Sequence, residues 1–203
     1  IYDFIEKPVD SERLINAIER AIEKRHMTLS LSSTKEKSAH QTDIDQRVIG
    51  HSPVMKTLKK SILDFAPMDM PIVIYGNTGT GKELVAHCLP DYSPRREQPF
   101  ILLNCASIPE ELAETELFGY TRGASSNASA LHKGKLEQAK KGTVFLDEID
   151  SLPIKVQAKL LLALADKMVT PVGSNIQIPI DCRIISATKA ELRNNKHFRQ
   201  ELF

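Results

Sequence analysis

The sequence has no marked excess of charge of either sign. Its 27 lysine and arginine residues nearly balance its 26 aspartate and glutamate residues, which leaves a formal net charge of +1. Domains that bind DNA usually carry a clear basic excess or a basic stripe, so the charge balance argues against nucleic-acid binding by this segment. The hydrophobic fraction of 41% and the charged fraction of 26% are typical of a globular domain. The length of 203 residues allows one substantial domain and an appendage.

Cysteine is scarce. Cys88, Cys105 and Cys182 show no paired spacing, which argues against a zinc site or a disulfide framework and fits a reducing cytosol. We expect all three to be small buried hydrophobic side chains. The six histidines are isolated from one another as well, so metal binding by histidine is not expected.

Long apolar runs are also lacking. No run approaches the roughly 18–20 residues that a membrane-spanning helix needs, and no basic start precedes a signal-like apolar stretch. We therefore expect a cytoplasmic protein with no membrane partner. The chain has no initiator methionine and ends without a terminating signal, so we interpret it as a piece of a longer protein.

Three regions follow one another along the chain. Residues 1–26 contain an apolar patch and then a predicted helix after Asp10, a good N-cap residue, with apolar side chains on one face. Residues 27–47 are rich in Ser, Thr, Lys, Gln and Asp, which is typical of a linker with little structure of its own. From Val48 onward, apolar strands alternate with amphipathic helices.

This alternation predicts the fold class of residues 48–203. The expected strands are Pro71–Tyr75, Phe100–Asn104, Thr143–Asp147 and Arg183–Ala187. The expected helices are Ser52–Phe65, Lys82–Leu89, Pro109–Phe118 and Pro153–Lys167. Short, continuously apolar strands separated by helices indicate a parallel sheet covered on both faces, that is, a three-layer α/β sandwich.

The most specific motif is a glycine-rich loop between the first strand and the next helix. It reads Gly-Asn-Thr-Gly-Thr-Gly-Lys over residues 76–82. The glycines let backbone N–H groups curl around phosphate oxygens, the new helix points its positive end at them, and Lys82 reaches the terminal phosphates. The generic motif ends in Ser or Thr as a magnesium ligand, whereas Glu83 stands there in this chain.

A pair of acids ends a later strand. Asp147 and Glu148 follow Val144-Phe145-Leu146. In phosphate-loop ATPases such an Asp helps to hold Mg²⁺, and the following Glu can polarise the attacking water. Two carboxylates at a strand end could instead mark only a helix start. Together the two motifs predict that ATP binds here with Mg²⁺.

These residues resemble the AAA+ domains of bacterial enhancer-binding proteins, the response regulators that activate sigma-54 RNA polymerase. The resemblance covers nearly all of residues 48–203 and explains Glu83, because the family normally has Glu after the lysine. The segment 170–175 and Lys189 are particularly similar to regulators of C4-dicarboxylate transport. The motifs that carry the resemblance are Val48–Met55, Gly79–Ala86, Leu103–Cys105, Glu116–Gly119, Gly142–Ile149 and Phe198–Leu202.

The start of the chain fits the same resemblance. Residues 2–8 look like the last strand of a two-component receiver domain, with Lys7 matching its signalling lysine, and residues 11–25 would be its final helix. The resemblance implies a receiver remnant at 1–26, a linker at 27–47 and an AAA+ α/β subdomain at 48–203, cut before the helical lid.

The resemblance also implies roles for individual residues. Ile49 and Gly50 match the segment that holds the adenine. Asn104 matches the residue that pairs with the catalytic glutamate and reports the nucleotide state, although a strand-end amide can also simply cap a turn. Arg199 matches an arginine finger that reaches the neighbouring subunit's ATP, with a surface arginine as the alternative. The nucleotide-binding residues are expected to be Ile49, Gly50, Gly76, Asn77, Thr78, Gly79, Thr80, Gly81, Lys82, Glu83 and Leu84. The expected catalytic residues are Glu148, Asn104 and Arg199, with Asp147 on magnesium.

The sequence differs from the family in one loop. In the family, this loop contacts sigma-54 and has the sequence Gly-Ala-Phe-Thr-Gly-Ala. Here Ser125 replaces the aromatic, Ser126 the threonine and Asn127 the second glycine. Without the ring, the loop loses apolar area worth about 2–3 kcal/mol when buried. Lys189 stands where most relatives carry a phosphate-sensing asparagine, and it could either sense phosphate by charge or be a solvated lysine.

Two hypotheses follow. In the first, the chain is an ATPase that assembles into a ring, a hexamer when active and a dimer when inactive, and remodels the sigma-54 transcription complex. In the second, nucleotide or phosphorylation only sets the oligomeric state of a DNA-binding regulator that acts without sigma-54. Both imply a sensor histidine kinase acting on the receiver and DNA binding by a domain outside this segment.

Overall fold

The computed structural model describes residues 39–123, 131–192, 195 and 198–202. The chain divides into two compact units, Ile1–Ser52 and Pro53–Phe203. The predicted receiver remnant at 1–26, including its helix, lies outside the described residues. The three altered positions of the sigma-contact loop, Ser125, Ser126 and Asn127, also lie outside them.

In the first unit, residues 39–47 are helical. The prediction that 27–47 has little structure of its own is therefore wrong for these nine residues. Ile44 and Val48 are both buried, and the Val48 N–H donates to the carbonyl of Ile44 at 2.9 Å. The two apolar residues lie four positions apart, the spacing that places side chains on one side of a helix. The composition of this stretch is mainly polar, and it gave no indication of this buried apolar pair.

The described residues of the second unit form a four-stranded parallel sheet, five helices and several short strands. We label its elements in chain order. The helices are α1 (Pro53–Phe65), α2 (Lys82–Asp91), α3 (Glu110–Phe118), α4 (Lys135–Gln138) and α5 (Ile154–Asp166). The strands are β1 (Ile72–Tyr75), β2 (Phe100–Asn104), β3 (Gly119–Tyr120), β4 (His132–Lys133), β5 (Thr143–Asp147), β6 (Met168–Val169), β7 (Ile178–Pro179) and β8 (Arg183–Thr188). Short 3₁₀ turns cover Cys105–Ser107, Ile149–Ser151 and Gln200–Leu202.

The main sheet is wholly parallel, with the order β1-β8-β5-β2. All four of its strands were predicted, within one residue at each end. The two central strands are the most buried: every residue of β8 is buried, and so are the first four of β5. Burial on both faces is the reason both strands are mainly apolar at their centres, Val144–Leu146 in β5 and Ile184–Ile185 in β8.

Helices cover both faces of this sheet. Val144 and Leu146 of β5 belong to the core cluster that contains Phe118 of α3 and Leu160 of α5. Phe145 lies between these two residues in the strand, so its side chain points to the opposite face. Phe145 stacks on Phe100 at 6.2 Å between ring centroids, and Phe100 lies 4.1 Å from the ring of His87 in α2. The predicted three-layer α/β sandwich is confirmed.

Two small antiparallel pairs were not predicted. Strand β3 pairs with β4, and β6 pairs with β7. A bridge between Tyr120 and Val172 joins the two pairs, and the carbonyl of Val172 accepts a hydrogen bond from the Thr121 N–H at 3.0 Å.

Two arginines hold together the edge of the sheet where the strands begin. The Arg95 guanidinium donates two hydrogen bonds to Asp69, from Nε to Oδ1 at 3.0 Å and from Nη2 to Oδ2 at 2.9 Å. Its Nη2 also donates to Asp181 Oδ1 at 2.7 Å. The hydrogen bond from Arg95 holds the pKa of Asp69 below its usual value. Asp69 precedes β1 and Asp181 precedes β8, so one guanidinium joins the entries to two neighbouring strands.

Arg183, the first residue of β8, binds the carbonyl groups at the end of α1. It is 2% exposed, and its Nη1 and Nη2 donate to the carbonyls of Ala66 at 2.6 Å and Phe65 at 2.8 Å. These carbonyls lie at the end of α1, where a cation is favoured because the helix dipole is negative there. Burial lowers the pKa of Arg183, and the carbonyl contacts compensate for its loss of water.

Candidate functional site

The glycine-rich loop follows β1 directly and leads into α2, as predicted. The N–H of Gly76 donates to the carbonyl of Thr188 at 3.1 Å, which attaches the start of the loop to the end of the central strand β8. The hydroxyl of Thr80 donates to the carbonyl of Asn77 at 2.8 Å and closes the turn. The loop is thus anchored at its base, and its tip, residues 77–81, is exposed to solvent.

Two of the glycines are required by their backbone conformation. Gly79 has φ +81° and Gly81 has φ +86°, a left-handed region that is costly for residues with a Cβ atom. A Cβ at either position would meet nothing within 4 Å, so space does not dictate glycine there. Glycines in this conformation are what a phosphate-binding loop uses to turn successive backbone N–H groups towards an anion.

Helix α2 begins directly after this loop, and its N-terminus has no side-chain cap. Its N-cap is Gly81, and no side chain caps its first N–H groups. Those groups and the helix dipole favour an anion. The Lys82 Nζ atom lies inside the curve of the loop, where it donates to the carbonyls of Gly76 at 3.0 Å and Asn77 at 3.1 Å. The loop therefore combines a cation with a helix start that no side chain caps, and it fits a phosphate group.

The remaining predicted residues of this region point outward. The Glu83 side chain is 63% exposed, with its Oε1 3.9 Å from His87 Nε2, and Leu84 is 42% exposed. Thr78 is exposed at the loop tip. Ile49, which is 85% exposed, and Gly50 belong to the first unit, and their role with adenine stays a prediction.

The predicted acidic pair lies at the same edge of the sheet. Asp147 is the last residue of β5 and is in register with Asn104, the last residue of β2. Because all four strands are parallel, their carboxyl ends meet at one edge. That edge carries the phosphate loop, Thr188, Asp147 and Asn104 in spatial order, since the strand order is β1-β8-β5-β2.

Glu148 has an unusual backbone conformation. Its φ of 51° and ψ of 50° are left-handed, which costs a non-glycine residue about 1–3 kcal/mol unless its surroundings fix it. The Glu148 N–H donates to Asp147 Oδ1 at 3.0 Å, and the Glu148 carbonyl accepts from the Ser151 N–H at 2.9 Å. Strain of this kind clusters at functional sites, and here it affects the predicted catalytic residue.

Asp147 fits a magnesium ion that arrives with a nucleotide. In nucleotide sites Mg²⁺ takes most of its ligands from phosphates and water and needs only one or two protein carboxylates. Within the described part of the chain, no group of three or more His, Cys, Asp or Glu side chains is arranged to hold a metal. Asp147 would therefore act as a single carboxylate ligand, and its assignment stays a prediction.

Asn104 caps a turn in this structure. Its Oδ1 accepts hydrogen bonds from the N–H groups of Ala106 at 3.0 Å and Ser107 at 3.1 Å, which is the simpler of the two roles predicted from the sequence. No hydrogen bond between Asn104 and Glu148 occurs among the described residues. The register that places Asn104 beside Asp147 keeps its amide at the edge where the predicted pairing would occur.

Arg199 and Lys189 lie outside the phosphate loop. The backbone N–H of Arg199 donates to Gln157 Oε1 at 2.8 Å, and its guanidinium is 40% exposed, 3.7 Å from Glu201 Oε2. Gln157 is fully buried, so it holds the backbone of Arg199 against α5. Lys189 is exposed directly after β8. The roles of both residues stay predictions.

Cys105 is buried behind the acidic edge. Burial raises the pKa of its thiol to about 12, and the nearby carboxylates of Asp147, Asp150 and Glu148 add to the effect. Burial likewise raises the pKa of Cys182 to about 11. Cys88 is fully buried. The expectation of small buried side chains holds for Cys88 and Cys105, while Cys182 is half-buried.

The sequence analysis missed two residues of this edge, Asp150 and Thr188. The Thr188 hydroxyl donates to Asp150 Oδ1 at 2.6 Å, and Thr188 is 1% exposed. A third acid two positions after Glu148 was a signal that could have identified Asp150. Thr188 gave no sequence signal, because its partner lies 38 positions away.

Comparison with known proteins identifies the family. A profile of the sigma-54 interaction domain matches residues 48–203. The C4-dicarboxylate transport transcriptional regulatory protein DctD of Pseudomonas aeruginosa is 40% identical over 100% of this chain and 44% of its own length. This chain thus spans less than half the length of such relatives.

Solved structures agree. NtrX from Brucella abortus, crystallised in complex with ATP, is 36% identical with a TM-score of 0.70 over 100% of this chain and 42% of its own. The P-loop NTPase domain of an Escherichia coli sigma-54 transport activator shares the fold, with 17% identity and a TM-score of 0.50 over 76% of this chain and 89% of its own. No helix among the described residues is long and apolar enough to cross a membrane. With its parallel four-stranded sheet, its phosphate loop and a profile match over residues 48–203, the chain belongs to the sigma-54 interaction domain family.

Proposed function

We propose that this chain is the ATP-binding and ATP-hydrolysing central domain of a two-component response regulator that acts on sigma-54 RNA polymerase. The observation that carries the proposal is the carboxyl edge of the sheet, where the phosphate loop, the end of β8 and the Asp147–Glu148 pair lie on successive strands. The ATP complex of NtrX supports nucleotide binding by the same fold. The family match supports the sigma-54 partner.

In this proposal each residue has a defined task. The N–H groups of residues 77–79 and of the start of α2 bind the phosphates of ATP, and Lys82 balances their charge. Asp147 would hold a Mg²⁺ ion, which would supply positive charge to the phosphate oxygens. Glu148 accepts a proton from the water that attacks the terminal phosphate. ADP and inorganic phosphate are the products.

Assembly into a ring completes the proposed site. Arg199 would reach the ATP of a neighbouring copy, where an arginine finger is worth roughly 10³–10⁵ in rate in other NTPases. The half-exposed guanidinium of Arg199, with its backbone fixed by buried Gln157, supports such a role. A hexamer as the active form and a dimer as the inactive form are part of the proposal, and so are the sensor kinase and the DNA that other domains would contact.

One observation favours a second candidate function. Ser125, Ser126 and Asn127 replace the residues with which the family contacts sigma-54. A regulator whose nucleotide or phosphorylation state only controls oligomerisation, and hence DNA binding, would not need that contact.

An open-complex assay separates the two candidates. The intact protein, phosphorylated and supplied with ATP, is incubated with sigma-54 holoenzyme and a promoter, and melting of the promoter is measured. ATP-dependent melting that fails with the Lys82→Ala variant is the expected result. Hydrolysis without melting would indicate a working motor with another target. ATP binding with neither hydrolysis nor melting would favour the nucleotide-gated DNA-binding regulator.

A further inference from the structure

We propose that Asp150 is a positioning residue that, through Thr188, holds Glu148 in place relative to the phosphate loop. This inference rests on the proposed ATPase function of the same site. It starts from the hydrogen bond of 2.6 Å between Thr188 Oγ1 and Asp150 Oδ1, which joins the turn after β5 to the end of β8.

The Glu148 backbone needs such a restraint. Its left-handed conformation does not arise from glycine or asparagine chemistry, so neighbouring contacts must maintain it. The 3₁₀ turn Ile149–Ser151 follows it immediately. Ile149 is buried and anchors one side of this turn, and Asp150 anchors the other through Thr188.

Thr188 connects this turn to the phosphate loop. Its carbonyl accepts from the Gly76 N–H at 3.1 Å, and the Gly76 carbonyl accepts from Lys82 Nζ at 3.0 Å. The Thr188 hydroxyl also accepts from the Ala190 N–H at 2.9 Å, so its one proton is directed to Asp150. A continuous series of contacts therefore runs from Asp150 through Thr188 and Gly76 to Lys82.

The consequence concerns catalysis rather than binding. The proposed phosphate-binding N–H groups belong to the loop tip and the start of α2. Loss of Asp150 leaves the hydrogen bond that closes this loop, from the Thr80 hydroxyl to the Asn77 carbonyl, intact. Glu148, in contrast, would lose one of the contacts that fix its turn. Because a displacement of about 1 Å can cost on the order of 10²-fold in rate, the effect is expected in kcat and not in nucleotide affinity.

The test compares variants of the intact protein. Asp150→Ala and Thr188→Val should lower the kcat of ATP hydrolysis at least about tenfold, with the Kd for ATP within about twofold of wild type as expected when only the transition state loses a contact. Asp150→Asn and Thr188→Ser keep an acceptor and a hydroxyl and should retain most of the activity. The double variant should be no slower than the slower single variant, because both remove the same contact. Asp166→Ala, at the exposed end of α5, is the matched control.

Two outcomes would overturn the inference. The first is an unchanged kcat in a folded Asp150→Ala protein. The second is a crystal structure of that variant in which Glu148 keeps its φ near the +51° seen here. The crystallographic measurement does not require hydrolysis. If the wild-type protein hydrolyses no ATP, the proposed function fails, while the conformation of Glu148 in the variant still decides whether Asp150 positions it. Urea unfolding of the Asp150→Ala variant, compared with that of the wild type, tests whether a lower kcat results from a general loss of structure.

Discussion

Asn104 and Asp147 occupy matching positions at the ends of neighbouring parallel strands, β2 and β5. The sequence separates them by more than 40 positions, and the register of the sheet brings their backbones together. Asp147 uses one carboxylate oxygen for the N–H of Glu148, and Asn104 uses its carbonyl oxygen for the turn that follows it. Each polar side chain therefore fixes the backbone at its own strand end, and that rigid edge is where we place the chemistry.

Replacing Lys82 with Ala should abolish ATP binding. The Nζ atom lies inside the phosphate loop and is the only side-chain cation placed within it among the described residues. Titration of a fluorescent ATP analogue measures the change. Lys60→Ala, on the exposed side of α1, should bind like wild type. Unchanged affinity in the Lys82 variant would show that the loop is not the phosphate site.

Replacing Glu148 with Gln should separate binding from hydrolysis. The amide keeps the size of the side chain but cannot accept a proton from water, so the kcat should fall by about 10²–10⁴-fold while ATP still binds. Steady-state release of phosphate and equilibrium binding are the two measurements. Glu97→Gln, at a largely exposed glutamate, serves as the control. A variant that hydrolyses ATP at the normal rate would remove Glu148 from the mechanism.

Replacing Arg95 with Ala should destabilise the domain without touching the site. Arg95 joins Asp69, Asp181 and the carbonyl of Lys141 at the opposite edge of the sheet. Both carboxylates are more than half exposed, so their ion pairs are screened by water, and we expect a loss of about 1–3 kcal/mol, mainly from the broken hydrogen bonds. Urea unfolding tests this. Arg96→Ala, at an exposed neighbour, should have little effect.

The same contact predicts a dependence on pH. The hydrogen bond from Arg95 holds the pKa of Asp69 in the folded state below its usual value. A lowered folded pKa means that the contribution of Asp69 to stability is complete above the unfolded pKa and is lost as the pH falls through the folded pKa. The unfolding free energy should therefore drop less between pH 5 and about pH 2 in Asp69→Asn than in wild type. An equal drop in both proteins would contradict this, with Asp166→Asn as the control.

The thiols should react slowly in the folded protein. Burial raises the pKa to about 12 for Cys105 and to about 11 for Cys182, so little thiolate is present at pH 8, and the thiolate is the reactive form. Labelling with a thiol reagent should proceed only as the protein unfolds in urea. Rapid modification of Cys105 in buffer, identified by peptide mapping, would show that it is accessible after all.

The sequence by itself determined the parts of this protein that depend on local pattern. The four strands of the main sheet appear as short apolar runs because both faces of the sheet are covered. The phosphate loop could be recognised because its glycines, its lysine and the following helix are contiguous. The same applies to Asp147 and Glu148 at the end of a strand. Family membership followed from the order of these motifs and is confirmed by the profile match.

Tertiary structure alone decided the rest. The position of β8 between β1 and β5 results from packing across the whole domain, and it makes Thr188 the link between Gly76 and Asp150. The helix over residues 39–47, which contains the buried Ile44, lies in a stretch whose polar composition did not predict it. The Arg95 contacts join residues separated by as many as 86 positions. Such contacts depend on which strands become neighbours, and strand order is a property of the complete fold that no local stretch of sequence encodes.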